Sequence, residues 1–163
     1  MVKIGVDSSG KWGDPPIWIT AVRRSKTKGQ VIRTAFLSKR KYGTIKGICK
    51  NWRDKFRAIL IYKVVSPLIY DRDIIIIHVD FHGKTRDYVT NYVRKLFQKK
   101  YPKYFPNKPL KTEPEILFSS TRYSVEVKEA DIKSKMLRRG QIPQDRLKYH
   151  LKDPSFRNEL EIL

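Results

Sequence analysis

The run Asp73–Asp80 (DIIIIHVD) constrains the fold more than any other segment of the chain. Its four consecutive isoleucines leave no polar side, which is typical of a strand buried on both faces, as in parallel sheets. Three earlier segments alternate between apolar and polar residues instead: Val2–Asp7, Ile17–Arg24 and Val31–Leu37. Short polar turns separate the second and third of these, which favours antiparallel pairing. The sequence therefore predicts a mixed sheet.

Helical periodicity separates the later strands. Apolar residues at three- and four-residue steps between residues 45 and 60 predict a helix with Thr44 as its N-cap, and a second helix is predicted to open at Gly83. Glu115–Ser119 is predicted to be a short strand. A further helix runs from about Lys128 to Arg139 and ends at Gly140.

These elements together predict an α/β fold with a mixed five-stranded sheet, three antiparallel strands followed by parallel ones, and helices on its faces. Residues 1–140 are expected to form the domain. Residues 141–163 are expected to be a C-terminal helical extension of it, in which Asp153 and Pro154 begin the last helix.

The charge of the chain points to a polyanionic partner. There are 36 Lys and Arg against 16 Asp and Glu, a formal net charge of +20. That much like charge opposes compaction unless a polyanion neutralises it, and nucleic acid is the commonest such partner. An anionic membrane surface is the alternative, but no apolar run approaches the roughly 20 residues of a spanning helix. The single cysteine, Cys49, forms no intrachain disulfide, which suits a cytoplasmic protein.

Basic residues cluster in the chain, and aromatic residues lie among them. Residues 84–111 carry nine Lys or Arg and one acid, and the lysines of this stretch are predicted to follow phosphates. Trp12, in a loop after the first strand, is predicted to stack on bases. A solvated surface is the alternative for any single lysine. The residues predicted to contact nucleic acid are Lys11, Trp12, Lys84, Arg86, Lys99, Lys100, Lys103, Lys108 and Lys133.

Two aspartates stand at the ends of predicted strands. Asp7 ends the first strand, and Asp80 ends the isoleucine strand; if these are parallel neighbours, the carboxylates lie together at the edge where α/β sites tend to lie. Like carboxylates repel unless a cation lies between them, and Mg²⁺ or Mn²⁺ suits oxygen ligands. Asp131, near the start of the last long helix, is expected to complete the site, although helix capping would explain an acid there as well.

Two histidines flank Asp80. His78 shares a strand face with it, so it could assist a metal or a proton transfer, or be a buried, hydrogen-bonded histidine. His82 could shuttle protons in a cleft, or be a solvated loop residue.

Three short segments, in this order, resemble the ribonuclease H-like superfamily. GVDSSG, with Asp7, resembles its first-strand motif, in which the Asp is a metal ligand. IIHVDFHGKTRDYV resembles the fourth-strand motif of ribonuclease HII, with Asp80 at the catalytic position. KEADIKSKML is similar to the final helix of RuvC-type resolvases, where the Asp matching Asp131 is a ligand. Ribonuclease HII has an acid directly after its first Asp, where this chain has Ser8, and Glu129 is the candidate for a further ligand.

The resemblance implies a metal-dependent nuclease that cleaves an RNA/DNA hybrid or structured DNA by a two-metal carboxylate mechanism. The alternative is a nucleic-acid-binding module on the same scaffold, without turnover. A structural subunit of an RNA particle would use the charge without any acid cluster. The oligomeric state stays open, but a junction enzyme is expected to be a dimer, because symmetric cuts suit two-fold symmetry.

Overall fold

The computed structural model of the chain describes residues 2–11, 14–79, 83–141 and 150–163, with the backbone alone at residues 9–11. The strands of these residues are β1 (Lys3–Lys11), β2 (Asp14–Ser25), β3 (Gly29–Leu37), β4 (Ile74–His78), β5 (Glu115–Ser119) and β6 (His150–Lys152). They form one sheet in the order β5-β4-β1-β2-β3-β6. β2 is antiparallel to β1 and β3, whereas the β1–β4, β4–β5 and β3–β6 pairs are parallel. The predicted α/β class and mixed sheet are confirmed.

Helices flank this sheet. In the described residues they are α1 (Lys39–Ile45), α2 (Trp52–Val65), α3 (Lys84–Lys99), α4 (Tyr101–Tyr104), α5 (Val125–Arg138) and α6 (Arg157–Ile162). The main hydrophobic core lies between one face of the sheet and the helices α2 and α3. Helix α5 covers the other face, mainly over β1 and β2.

The isoleucine strand is buried on both faces, as predicted. Ile75 and Ile77 belong to the main core, whereas Ile74 and Ile76 pack against Val127 of α5. Successive side chains of the strand point to opposite faces of the sheet, and both faces are covered by protein. The segment therefore has no polar side.

Close packing of α5 on β1 depends on Gly5. A Cβ atom at this position would lie 2.2 Å from the backbone carbon of Glu126 and 2.5 Å from the backbone nitrogen of Val127. No real Cβ atom tolerates such contacts, so any other residue would hold the helix further from the strand. The glycine therefore sets how near the side chains of α5 come to β1.

Two helix boundaries differ from the prediction. Residues 39–65 form two helices rather than one, and Ser38 caps the first by accepting a hydrogen bond from the backbone nitrogen of Lys41. Thr44 is not an N-cap: it lies near the end of α1 and donates to the carbonyl oxygen of Lys41. A local pattern of apolar steps spans both helices, because both pack on the same core.

The segment predicted to be a helical extension also contributes a strand. β6 is only three residues long, too short for periodicity to show, and it adds a sixth strand beside β3. Asp153 does not begin the last helix, which starts at Arg157. Its carboxylate instead accepts hydrogen bonds from the backbone nitrogen and the hydroxyl of Ser38, both at 2.7 Å.

The parallel pairs give the sheet two distinct edges. We call the edge of the sheet that lies toward the C-terminal ends of β1, β4 and β5, beyond Asp7 and His78, the carboxyl edge. The opposite edge, where β4 and β5 begin near Asp73 and Glu115, is the amino edge. Helix α3 starts at the carboxyl edge, and so does α2, because Trp52 and Thr85 line one pocket.

Candidate active site

Asp7 lies on the face of β1 that α5 covers, and it is only 2% exposed. The prediction that Asp7 ends the strand is wrong, because β1 continues to Lys11 through its pairing with β2. The parallel register joins Val6 to Ile77, so the next residue of β4, His78, stands beside Asp7. The Nδ1 atom of His78 lies 2.9 Å from Oδ1 of Asp7.

Asp131 of α5 reaches the same place. Its side chain shares a hydrogen bond with the carboxyl group of Asp7. A hydrogen bond between two carboxyl groups requires a proton between them, since two carboxylates repel. Burial acts to raise the pKa of Asp131. That pKa is nevertheless held below its ordinary value by hydrogen bonds with Asp7 and Lys135 and by the charges of Lys135 and His78. The structure therefore brings two of the three predicted aspartates together.

Helix capping does not explain Asp131. Helix α5 begins at Val125, three residues earlier than predicted, and its N-cap is Ser124, whose hydroxyl accepts from the backbone nitrogen of Val127 at 3.2 Å. Asp131 is the seventh residue of the helix, about two turns from its start. Its partner on the helix is Lys135, whose Nζ lies 3.0 Å from Oδ2 of Asp131.

A pair of buried hydroxyl groups fixes α5 against the strands one turn beyond Asp131. The hydroxyl of Ser134 donates to Oγ1 of Thr20 at 2.7 Å and lies 3.3 Å from the carbonyl oxygen of Asp7. Ser134 and Thr20 are both fully buried, and Thr20 is the partner of Asp7 in the β1–β2 register. These bonds set the helix at a defined height along the strand, and with it the position of Asp131.

The structure does not bring Glu129 to the two aspartates, so this predicted ligand is corrected. Its carboxylate is held by Arg24 at 2.5 Å and by the amide of Gln30 at 2.6 Å. Glu129 precedes Asp131 by two residues, which turns its side chain about 200° around the helix axis. It therefore faces β2 and β3, whereas Asp131 faces β1 and β4.

Several predicted residues lie outside the described part of the chain: Asp80, His82, Trp12 and the side chain of Lys11. Within the described residues, His, Cys, Asp and Glu do not come together in a group of three or more that could hold a metal ion. The donor set of Asp7 and Asp131 nevertheless suits a hard cation. Both are oxygen ligands, and their carboxyl groups lie where a cation between them would relieve the repulsion of two carboxylates.

Two of the predicted nucleic-acid contacts are engaged inside the protein. Lys100 is buried, and its amine pairs with the carboxylate of Glu159, which also lies 2.7 Å from Nζ of Lys63. Lys108 donates to the carbonyl oxygen of Pro67 at 3.0 Å, and burial lowers the pKa of its amine. Neither amine is presented to a phosphate, so both assignments are corrected.

The remaining predicted cations divide between the two edges. Lys99 and Lys103 are exposed but lie away from the carboxyl edge. Lys99 is the last residue of α3, about 24 Å along the helix from its start at that edge, and Lys103 belongs to α4, which follows. Lys84 is exposed at that start, and the guanidinium of Arg86 lies 5.3 Å from the ring of Phe118. Lys133 is half-buried on α5.

Sequence reasoning missed two residues of this site. Lys135 follows Asp131 by four residues, a spacing that brings opposite charges together on a helix and could have identified it. Gly5 gave no such indication, because its need for space arises only when α5 packs on β1. The position of His78 beside Asp7 depends on strand register, which the sequence does not specify.

No protein-family model matches this chain, and no curated protein matches it in sequence. None of the helices in the described ranges is long and apolar enough to cross a membrane. The function must therefore be inferred from the geometry of the site itself.

Proposed function

We propose that this protein is a metal-dependent nuclease that hydrolyses phosphodiester bonds in nucleic acid. The observation that carries the proposal is the hydrogen-bonded pair of Asp7 and Asp131 in a chain of net charge +20. Structural aspartates normally pair only with cations or with backbone donors, whereas these two also face each other. Two carboxyl groups in contact are unfavourable without a proton or a cation between them, and such pairs recur where enzymes bind metal ions.

The topology supports the proposal. Three antiparallel strands, followed by parallel strands beside β1, are what the resemblance to the ribonuclease H-like superfamily implies. The acids lie on the first strand and on the long helix that covers it, in agreement with two of the three motifs that carry the resemblance. Asp80, two residues after His78, is the candidate for a third ligand.

The side chains of the site have separable roles in this proposal. Asp7 and Asp131 would hold Mg²⁺ or Mn²⁺, which supplies an activated water and neutralises the charge on the leaving oxygen. His78 orients the carboxylate of Asp7 through the contact at 2.9 Å. The amine of Lys135 offsets the charge of Asp131 and must give way, in part, to a cation that binds there.

Electrostatics would bring a polyanion to the carboxyl edge. The helices that begin there and the turn that follows β5 present positive side chains. The exposed members of this set are Lys39, Arg40, Arg53, Lys84 and Arg122.

A cleavage panel tests the proposal. The protein is incubated with an RNA/DNA hybrid, duplex DNA, single strands and a four-way junction, with Mg²⁺ or Mn²⁺. We expect the wild type to cleave at least one substrate. In Asp7→Asn and in Asp131→Asn the cleavage rate should fall by at least about 10²-fold, which is more than the fall expected when a group that only supports a metal ligand is removed. Binding is expected to be equal or tighter, because a negative charge is removed.

Glu129→Gln is the matched control, since it removes a carboxylate from the same helix two residues away and should retain activity. Folded wild-type protein that cleaves no substrate with either metal would contradict the proposal. Full activity in Asp131→Asn would also contradict it.

One observation favours the alternative of a binding module without turnover. Each carboxyl group already has a side chain beside it that can carry positive charge, His78 for Asp7 and Lys135 for Asp131. These two side chains could satisfy the pair without a metal. Tight binding with no cleavage anywhere in the panel would favour this alternative.

A further inference from the structure

Exposed apolar side chains are concentrated on one surface of the molecule. Seven large hydrophobic side chains of the described residues are exposed, and four of them belong to β5, to α5 or to the turn that joins these elements. Single exposed apolar side chains are ordinary on a protein, but a group of them marks a binding surface. We call this group the β5–α5 surface; its members are Leu117, Tyr123, Val125 and Ile132.

Strand register and helix geometry place these side chains on the same face of the sheet. Leu117 is the partner of Ile76 in the β4–β5 register, and Ile76 packs against Val127 of α5. Leu117 therefore lies one strand farther out on the face that α5 covers. Val125 and Ile132 are seven residues apart, nearly two helical turns, so they share one side of α5. Their exposure shows that this side is turned toward solvent.

The turn before α5 presents an aromatic ring beside a cation. Tyr123 is 79% exposed, and the guanidinium carbon of Arg122 lies 5.6 Å from the centre of its ring. The backbone nitrogens of Tyr123 and Ser124 both donate to the carbonyl oxygen of Ser120, at 3.2 and 3.1 Å, so the turn that carries the ring is held in place. Exposed aromatic rings beside cations are the side chains on which unpaired bases stack.

This ring lies near the carboxylates. Tyr123 precedes Asp131 by eight residues. Extended chain from Tyr123 to Val125 spans at most about 7 Å, and the helix carries the chain about 10 Å from Val125 to Asp131. The Cα atoms of Tyr123 and Asp131 are therefore no more than about 17 Å apart. A stacked strand rises about 3.4 Å for each nucleotide, so a strand held at the carboxylates reaches Tyr123 within about five nucleotides.

The charge of this surface favours nucleic acid over a second copy of the chain. Residues 120–139 contain six Lys or Arg and three acids. Two of the acids are already paired, Glu129 with Arg24 of β2 and Asp131 with Lys135. A second copy would bring the same excess of positive charge against this surface, and like charges repel. A polyanion whose bases have apolar faces matches both the charge and the exposed ring.

We propose that the β5–α5 surface binds unpaired bases of a nucleic-acid strand, with Tyr123 as the ring on which a base stacks and Arg122 as a phosphate contact. The choice of nucleic acid rests on the proposed function. The faces of bases inside a duplex are covered by their neighbours, so only an unpaired segment can use the ring. The proposal therefore names the substrate class: a tailed or branched duplex, unpaired within about five nucleotides of the bond that is cut.

Binding without metal tests this surface separately from catalysis. A fluorescent single strand, a blunt duplex and the same duplex with a single-stranded tail are titrated in the presence of a chelator. We compare the wild type with Tyr123→Ala and with Tyr104→Ala. Tyr104 is the matched control, because it is 58% exposed and has Nζ of Lys100 at 5.0 Å from its ring. It belongs to α4, away from the carboxyl edge.

Tyr123→Ala is expected to weaken binding of the single strand and of the tailed duplex by at least about 5-fold, because one stacked base is lost. Its affinity for the blunt duplex should stay the same, and Tyr104→Ala should leave all three affinities unchanged. Tyr123→Phe keeps the ring and should bind as the wild type does. Arg122→Gln should lower the slope of log affinity against log salt for the single strand by about 0.7, for one lost phosphate contact.

Unchanged affinity for the single strand in Tyr123→Ala would overturn the proposal, and so would equal weakening toward the blunt duplex. Equal weakening in Tyr104→Ala would show that the position of the ring does not matter. Sedimentation of the same variants identifies the other possible occupant: a dimer lost in Tyr123→Ala, with single-strand affinity unchanged, would assign the surface to a second copy.

The outcome is separable from that of the cleavage panel. Cleavage by the wild type together with unaltered binding in Tyr123→Ala would contradict this inference alone. Weaker single-strand binding in Tyr123→Ala without cleavage of any substrate would contradict the nuclease alone.

Discussion

Each edge of the sheet contains a buried aspartate, and the two differ in their partners. Asp73 lies at the amino edge and is 5% exposed. Its carboxylate accepts two hydrogen bonds from Arg23, from Nε at 2.8 Å and from Nη2 at 3.3 Å, and a third from the backbone nitrogen of Tyr70 at 2.9 Å. Asp7, at the carboxyl edge, is 2% exposed, and its carboxyl group meets a histidine and a second carboxyl group. The contacts of Asp73 neutralise its negative charge, whereas the contacts of Asp7 leave a position between two carboxyl groups that suits a cation.

The same contrast extends to the basic residues. At the amino edge, Lys100 pairs with Glu159 and Lys108 binds a backbone carbonyl, so their charge is used in holding the fold together. At the carboxyl edge, Arg53 and Lys84 are exposed. A high density of lysine in the sequence therefore does not show where charge is available to a ligand. Whether the charge of a lysine is available to a ligand depends on the hydrogen-bond acceptors that lie near it in the fold.

Exchanging the two aspartates for asparagine gives the largest expected effect. Asp73→Asn leaves the guanidinium of Arg23 buried without its charge partner, which is expected to reduce the free energy of unfolding by about 3–5 kcal/mol. Asp7→Asn removes one of two like carboxyl groups and is expected to keep or raise stability while cleavage is lost. Urea denaturation and cleavage rates, measured at a temperature where both variants are folded, check this pair.

If Asp7→Asn were destabilised as much as Asp73→Asn, both edges would be structural and the comparison would fail. Loss of cleavage in folded Asp73→Asn would break it in the other direction, by making the amino edge part of the active site.

A methyl group at Gly5 is expected to have the next largest effect. Gly5→Ala forces α5 away from β1, because the new Cβ would lie 2.2 Å from the backbone of Glu126. We expect a loss of about 1–3 kcal/mol in the free energy of unfolding. Cleavage should fall by about 10²-fold, because a displacement of about 1 Å at reacting groups has that cost.

Gly43→Ala is the control for this change. Nothing lies within 4 Å of a Cβ at Gly43, which belongs to α1, so alanine there should be neutral or stabilising. Thermal melts and cleavage rates of both variants provide the measurement. Normal activity in Gly5→Ala would show that the approach of α5 does not set the site.

The smallest effect concerns acid stability at the amino edge. Burial acts to raise the pKa of Glu159, but hydrogen bonds from Lys100 and Lys63 hold it below its ordinary value. Because the folded pKa is depressed, this carboxylate stabilises the fold fully above its unfolded pKa, and the contribution is lost as pH falls through the folded pKa.

Melting temperatures of the wild type and Glu159→Gln, followed from neutral pH to about pH 3, check this sign. The wild type should melt higher at neutral pH, and the difference should narrow below the ordinary pKa of glutamate. A difference that is constant with pH would mean that packing, rather than charge, accounts for the role of Glu159.

The sequence predicted what local patterns encode. The burial of the isoleucine strand on both faces follows from its composition. The proximity of Asp7 and Asp131 was expected because a metal site at the strand ends needs a further acid, and the resemblance implies the same pair. The start of α5 was misplaced because Ser124 lies before residues without clear periodicity. The internal roles of Lys100 and Lys108 depend on Glu159 and on the carbonyl of Pro67. These partners are distant in sequence, and no local pattern reveals them.

The pairing of β6 with β3 has a consequence for how the chain acquires its structure. The hydroxyl of Thr34 contacts Nδ1 of His150 across a separation of 116 residues, while β1, β2 and β3 follow one another directly. The three-stranded meander can form early, but the outer side of β3 then waits for a segment made much later. Until it arrives, the strand exposes a row of unpaired backbone groups to other chains. Partly synthesised or locally opened molecules are therefore the ones most prone to aggregate, through β3.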